Sequence, residues 1–122
     1  MIQTLVVAAL IAASLSNQAP FACNLKAFQP GERQRWRLLL DKIYDSVVER
    51  RELADGYSFR INTGRESPSE IAEWIDLERR CCPFFDFELT VRGENGTVWL
   101  SLKGRPGVKR FIEADMPGLQ GR

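Results

Sequence analysis

Apolar residues recur at three- and four-residue intervals through Trp36, Leu39, Leu40, Ile43, Tyr44, Val47 and Val48, while Arg33, Arg37, Asp41, Asp45 and Glu49 fall between them. That is the period of an amphipathic α-helix; Pro30 pre-sets its start, and the pattern predicts a helix over about 31–54. Asp55-Gly56 breaks it. Tyr57, Phe59 and Ile61 then alternate with Ser58, Arg60 and Asn62, which predicts a half-buried strand near 57–62. Ser67-Pro68-Ser69-Glu70 has the form of a capping box with proline at the first helical position. A second helix over 68–81 should bury Ile71, Trp74, Ile75 and Leu77, and Pro83 should end it near Arg80 or Cys81 by forcing Cys82 out of helical geometry.

The alternation returns in Phe87, Leu89 and Val91 and again in Val98, Leu100 and Leu102, with Glu94-Asn95-Gly96 between, predicting a hairpin of strands near 86–92 and 97–103. Gly104-Arg105-Pro106-Gly107 turns the chain into a short last helix with Val108, Phe111 and Ile112 on one side. Phe21-Ala22-Cys23-Asn24-Leu25 is short and apolar and reads as a first strand. The expected order is β-α-β-α-β-β-α. Because each strand has one apolar and one polar face, the helices should cover one face of a four-stranded sheet, giving an α+β two-layer sandwich.

The first residues do not fit this scheme. Leu5 to Leu15 is an uncharged run of signal-peptide length, too short for a membrane span, and Ser14-Leu15-Ser16 places small residues at both recognition positions of a signal peptidase. Residues 1–16 are therefore expected to be a signal peptide and 20–115 a single domain, exported to the periplasm or secreted, with no membrane span once the leader is removed. No Lys or Arg precedes the run, so an uncleaved N-terminal helix on a cytoplasmic protein is the alternative. Phe21-Ala22-Cys23 superficially matches a lipoprotein acylation site, but Pro20 stands where a branched aliphatic residue belongs.

A chain of 122 residues, 44% hydrophobic and 27% charged, has the size and composition of one globular domain with its own core. Net charge is +1, which argues against an overall electrostatic case for nucleic acid or an anionic membrane. Any basic surface must be local.

The chain has three cysteines and no histidine, which narrows candidate chemistry to sulfur. Cys23, Cys81 and Cys82 suit a three-coordinate soft ion such as Hg(II), As(III) or Cu(I), provided that the backbone breaks between the adjacent pair. Zinc would need a fourth ligand, for which Asp86 or water is the supplier that the sequence offers. Core packing, or a structural disulfide, accounts for the same residues without chemistry; Cys23 bonded to one of the pair is the expected bridge, because a vicinal disulfide closes a strained ring. Catalysis by thiolate finds only Arg79 and Arg80 in support, since a helix C-terminus raises a thiol pKa and no imidazole is present as base. No other catalytic constellation is legible: Glu70, Glu73 and Asp76 have ordinary solvated-helix spacing.

Glu78-Arg79-Arg80-Cys81-Cys82-Pro83-Phe84-Phe85-Asp86-Phe87, a hairpin, and Leu102-Lys103-Gly104-Arg105-Pro106-Gly107-Val108-Lys109 together resemble a small bacterial domain family of unknown function with a Cys-Cys-Pro-Phe signature. The resemblance runs from Phe21 to about Ile112 and implies an association with thiophilic-metal resistance. It carries no catalytic residue across to this chain. The leader is where this chain departs from the family.

A second class of function lies on the outer sheet face, where Arg60, Arg92, Lys103 and Trp99 should project away from the apolar strand residues. An aromatic among cations there suits a non-catalytic interaction module, for a protein partner or a self-dimer, with single-stranded nucleic acid the weaker reading.

Overall fold

The structure is a computed structural model that describes residues 18–120. The expected leader over 1–16 lies outside them. Helix α1 (Glu32–Ser46) is followed by strands β1 (Val47–Leu53) and β2 (Gly56–Ile61), helix α2 (Pro68–Cys81), strands β3 (Asp86–Val91) and β4 (Val98–Lys103), and helix α3 (Val108–Asp115). Every strand pair is antiparallel, in the order β1-β2-β4-β3. The fold is an α+β sandwich, with the helices on one face of the four-stranded sheet. Leu39, Ile43, Ile71 and Trp74 from the helices meet Phe59, Ile61, Leu100 and Leu102 from the sheet in one core.

Two elements differ from the sequence reading. Phe21–Leu25 is not a strand: it bends into a 3-10 turn, Leu25–Ala27, where Asn24 Oδ1 accepts from the Lys26 amide at 3.2 Å. The fourth strand is instead β1, cut from the C-terminal part of the helix expected over 31–54. The helix stops at Ser46, whose hydroxyl donates back to the Lys42 carbonyl at 2.6 Å and whose own carbonyl accepts from the Asn62 amide at 2.8 Å. From Val47 the chain runs straight into a hairpin with β2, closed at Leu53 and Gly56. Val47, Val48 and Leu53 fit a helical period as well as a strand, and the partner strand decides between them. Gly56 is required here, because a Cβ at this position would stand 2.0 Å from the Leu102 carbonyl oxygen of β4.

The capping box forms as expected. Ser67 Oγ accepts from the Glu70 amide at 3.2 Å, Glu70 Oε1 accepts from the Ser67 amide at 3.3 Å, and Pro68 opens the helix. Replacing Ser67 by alanine should cost about 1 kcal/mol in denaturant unfolding with an unchanged m-value; a loss under about 0.3 kcal/mol would show that the box contributes little. At the other end of α2 the last helical residue is Cys81, and Cys82 leaves helical geometry at φ −126°, ψ 71°.

Candidate metal centre

Three segments converge at the C-terminal end of α2. Cys81 is the last residue of the helix, Cys82 the first beyond it, and Cys23 arrives from the N-terminal bend. That bend is held in several places. The Asn24 amide donates to the Cys81 carbonyl at 2.8 Å. The Phe21 ring meets Phe84 edge-on at 5.2 Å between centroids, and the Arg105 guanidinium lies 4.1 Å above it while also donating to the Ala19 carbonyl. Gly107, at φ +108°, leaves room for that ring, since a Cβ there would lie 2.6 Å from it. The Leu102–Lys109 stretch of the sequence motif thus positions Cys23, although it contributes no sulfur.

Cys23 and Cys82 are joined in a disulfide with Cα atoms 4.9 Å apart, and Cys81 is the free thiol, its Sγ 3.6 Å from that of Cys82. Both residues of the pair are 0% exposed, whereas Cys23 is exposed. The sulfurs of two adjacent residues come together because the backbone breaks between them: Cys81 has helical geometry, and Cys82 does not. One ligand atom from each of Cys23, Glu78, Cys81 and Cys82 lies within 4.8 Å of every other. Metal–sulfur bonds of about 2.3 Å in a tetrahedral site place sulfurs roughly 3.8 Å apart, a spacing of the same order as the 4.8 Å within which this group lies.

Glu78 was not among the residues singled out from the sequence. It is 2% exposed, and Trp36 Nε1 on α1 donates to its Oε2 at 2.5 Å. A signal for it exists: Ile71, Trp74, Ile75, Glu78 and Cys81 or Cys82 continue the three- and four-residue spacing of the buried stripe of α2, so the carboxylate occupies a core position. Asp86, the supplier offered from sequence, is exposed at the start of β3 and is not part of the cluster.

Electrostatics do not favour a reactive thiolate. Burial pushes the Cys81 thiol up to about 12, the Glu78 charge adds to the shift, and Arg80 only partly opposes it. Arg80 is committed to Glu32 through two hydrogen bonds of 3.0 and 2.7 Å, and Arg79 holds Asp76. Burial likewise pushes the Glu78 carboxyl up to about 7, against the hydrogen bond from Trp36.

The residues of the outer sheet face share one side of the sheet. Trp99 lies opposite Arg60 in the β2–β4 register, on the face away from the buried Leu100. Arg92 lines a shallow depression with Trp99, Arg51, Ser58 and Thr90. Most of the charge here is matched: Glu49 binds Arg51 at 2.7 Å and Arg60 at 3.5 Å, and Lys103 binds Glu88 at 3.0 Å. The Arg51 guanidinium covers the Trp99 ring at 4.4 Å. A face so neutralised, with its aromatic already stacked, offers little to a polyanion. Among the described residues, no helix is long and apolar enough to cross a membrane.

Comparison with protein-family models, with curated proteins and with solved structures found no match to this chain.

Proposed function

We propose that the protein, with its disulfide reduced, binds a thiophilic metal or metalloid ion through Cys23, Cys81 and Cys82. The observation that carries this reading is the convergence of all three sulfurs at one end of α2, although one comes from a segment 59 positions away in sequence. Core packing explains the two buried cysteines, and the disulfide explains the place of Cys23. Neither calls for a free thiol, Cys81, 3.6 Å from the bonded Cys82 sulfur, with the buried Glu78 carboxylate in the same group. The resemblance to the Cys-Cys-Pro-Phe family, with its association with thiophilic-metal resistance, points the same way.

The disulfide and the ion compete for the same sulfurs. Two electrons and two protons from a dithiol reductant convert the Cys23–Cys82 bond to two thiols, and an ion then displaces the thiol protons. Cys23 is the exposed residue of the bond, while Cys82 is buried. The reduced protein should take up one equivalent of Cd(II) or arsenite, seen for Cd(II) as a thiolate-to-metal charge-transfer band in the ultraviolet. The oxidised protein should bind at least a hundredfold more weakly, as should each of Cys23→Ser, Cys81→Ser and Cys82→Ser when reduced. A reduced wild type that binds neither ion, or a Cys23→Ser variant that binds as well as wild type, would sink the reading.

A further inference from the structure

Resting on that reading, we infer that Glu78 is the fourth ligand of the site, which makes its ion a four-coordinate divalent one of the zinc and cadmium class rather than a three-coordinate metalloid. Glu78 is buried, and among the described residues no lysine or arginine pairs with it. Buried carboxylates are ordinarily paired with a cation or bound to a metal, because an isolated one costs several kcal/mol. Lys and Arg are numerous in α1 and α2, and those that pair across the two helices do so with other carboxylates: Arg80 with Glu32, Arg35 with Glu73, Lys42 with Glu70. What the fold brings to it is sulfur: a ligand atom of each of Cys23, Cys81 and Cys82 lies within 4.8 Å of one of its carboxylate oxygens.

The hydrogen bond to Trp36 does not by itself account for the residue, since a glutamine carbonyl would accept from the same indole without bringing a charge into the core. As an orienting contact it makes sense: Trp36 holds Oε2 and so fixes how the carboxylate is presented to an ion. Coordination number discriminates between ion classes. As(III) bound by three thiolates completes its valence without a fourth ligand and gives Glu78 no part in the site. A divalent ion bound by three thiolates has an open fourth position, which a carboxylate oxygen fills with a bond of about 2.0–2.2 Å for zinc.

The experiment compares wild type, Glu78→Gln and Glu78→Cys, all reduced, by competition titration with Cd(II) and with arsenite. Glu78→Gln keeps the Trp36 hydrogen bond and the side-chain volume. It should weaken Cd(II) binding by at least about tenfold and change arsenite binding less than twofold. Glu78→Cys should tighten Cd(II) binding and move the cadmium-113 resonance to the four-sulfur region, with a stronger charge-transfer band. Cd(II) affinity within twofold of wild type in Glu78→Gln overturns the inference, as does a Glu78→Cys resonance unchanged from wild type. Wild type that binds arsenite but not Cd(II) overturns it too, while the thiolate reading stands. Failure of wild type to bind either ion is the separate result that removes the proposed function.

Discussion

Reduction of the Cys23–Cys82 disulfide should destabilise the protein by roughly 2–4 kcal/mol, the largest loss expected from breaking any single covalent or polar link in it. The bridge spans 59 positions, and loop-closure entropy for a loop of that length sets a ceiling of about 4 kcal/mol. The same loss should appear in oxidised Cys23→Ser relative to oxidised wild type, and should vanish when both are reduced. Denaturant unfolding of the four species provides the cycle. Saturating Cd(II) should then recover stability in reduced wild type by about 2.7 kcal/mol at a free concentration one hundred times the dissociation constant, and recover none in reduced Cys23→Ser. Equal stability of oxidised and reduced wild type would show that the N-terminal bend is held by Phe21 and the Asn24 amide without the bond. Recovery by Cd(II) in Cys23→Ser would place the ion elsewhere.

The contrast between α2 and the N-terminal bend shows what the sequence can specify. Helix α2 was legible end to end, because its start is fixed by a side-chain cap and its end by Pro83, both of which act within a few residues. The hairpin of β3 and β4 was legible for the same reason. Strand β1 was not, since Val47-Val48-Glu49-Arg50-Arg51-Glu52-Leu53 satisfies two periods at once and its choice depends on pairing with β2. The bend at Phe21 was misread because its apolar ring packs against the core from a loop: Phe21 lies on Phe84 and under Arg105, not in the sheet.

The site divides along the same line. That sulfur was the candidate chemistry followed from composition, and the break between Cys81 and Cys82 followed from Pro83. The carboxylate did not, although its position in the buried stripe was open to view. A charged residue at a core position distinguishes Glu78 from Glu70, Glu73 and Asp76, which have ordinary solvated spacing on the same helix.

Glu66 provides the other large effect, and its sign is opposite to that of ordinary surface carboxylates. Its side chain is fully buried, and neither oxygen accepts a hydrogen bond. Lys42 Nζ lies 3.7 Å from Oε2 but is hydrogen-bonded to Glu70 instead. Burial, reinforced by the Glu70 charge, pushes the Glu66 carboxyl up to about 7, with Lys42 only partly opposing. In the unfolded chain the group titrates near 4.5. The folded state therefore holds the proton more tightly, and the group's contribution to stability is fully present below about pH 4.5 and lost as pH rises through about 7. An upward shift of that size corresponds to a ceiling of about 3 kcal/mol. Glu66→Gln cannot ionise, so it should gain on wild type as pH rises, by about 1–3 kcal/mol at pH 8 relative to pH 5. Comparing the two proteins at each pH cancels the titrating groups that do not interact with Glu66, including Glu32 and Glu73, whose ion pairs lower their carboxyls and act in the opposite direction. Unfolding free energies measured across that range check it. A difference between variant and wild type that stays constant with pH would mean that Glu66 keeps its charge in the folded protein, with Lys42 shared between the two carboxylates.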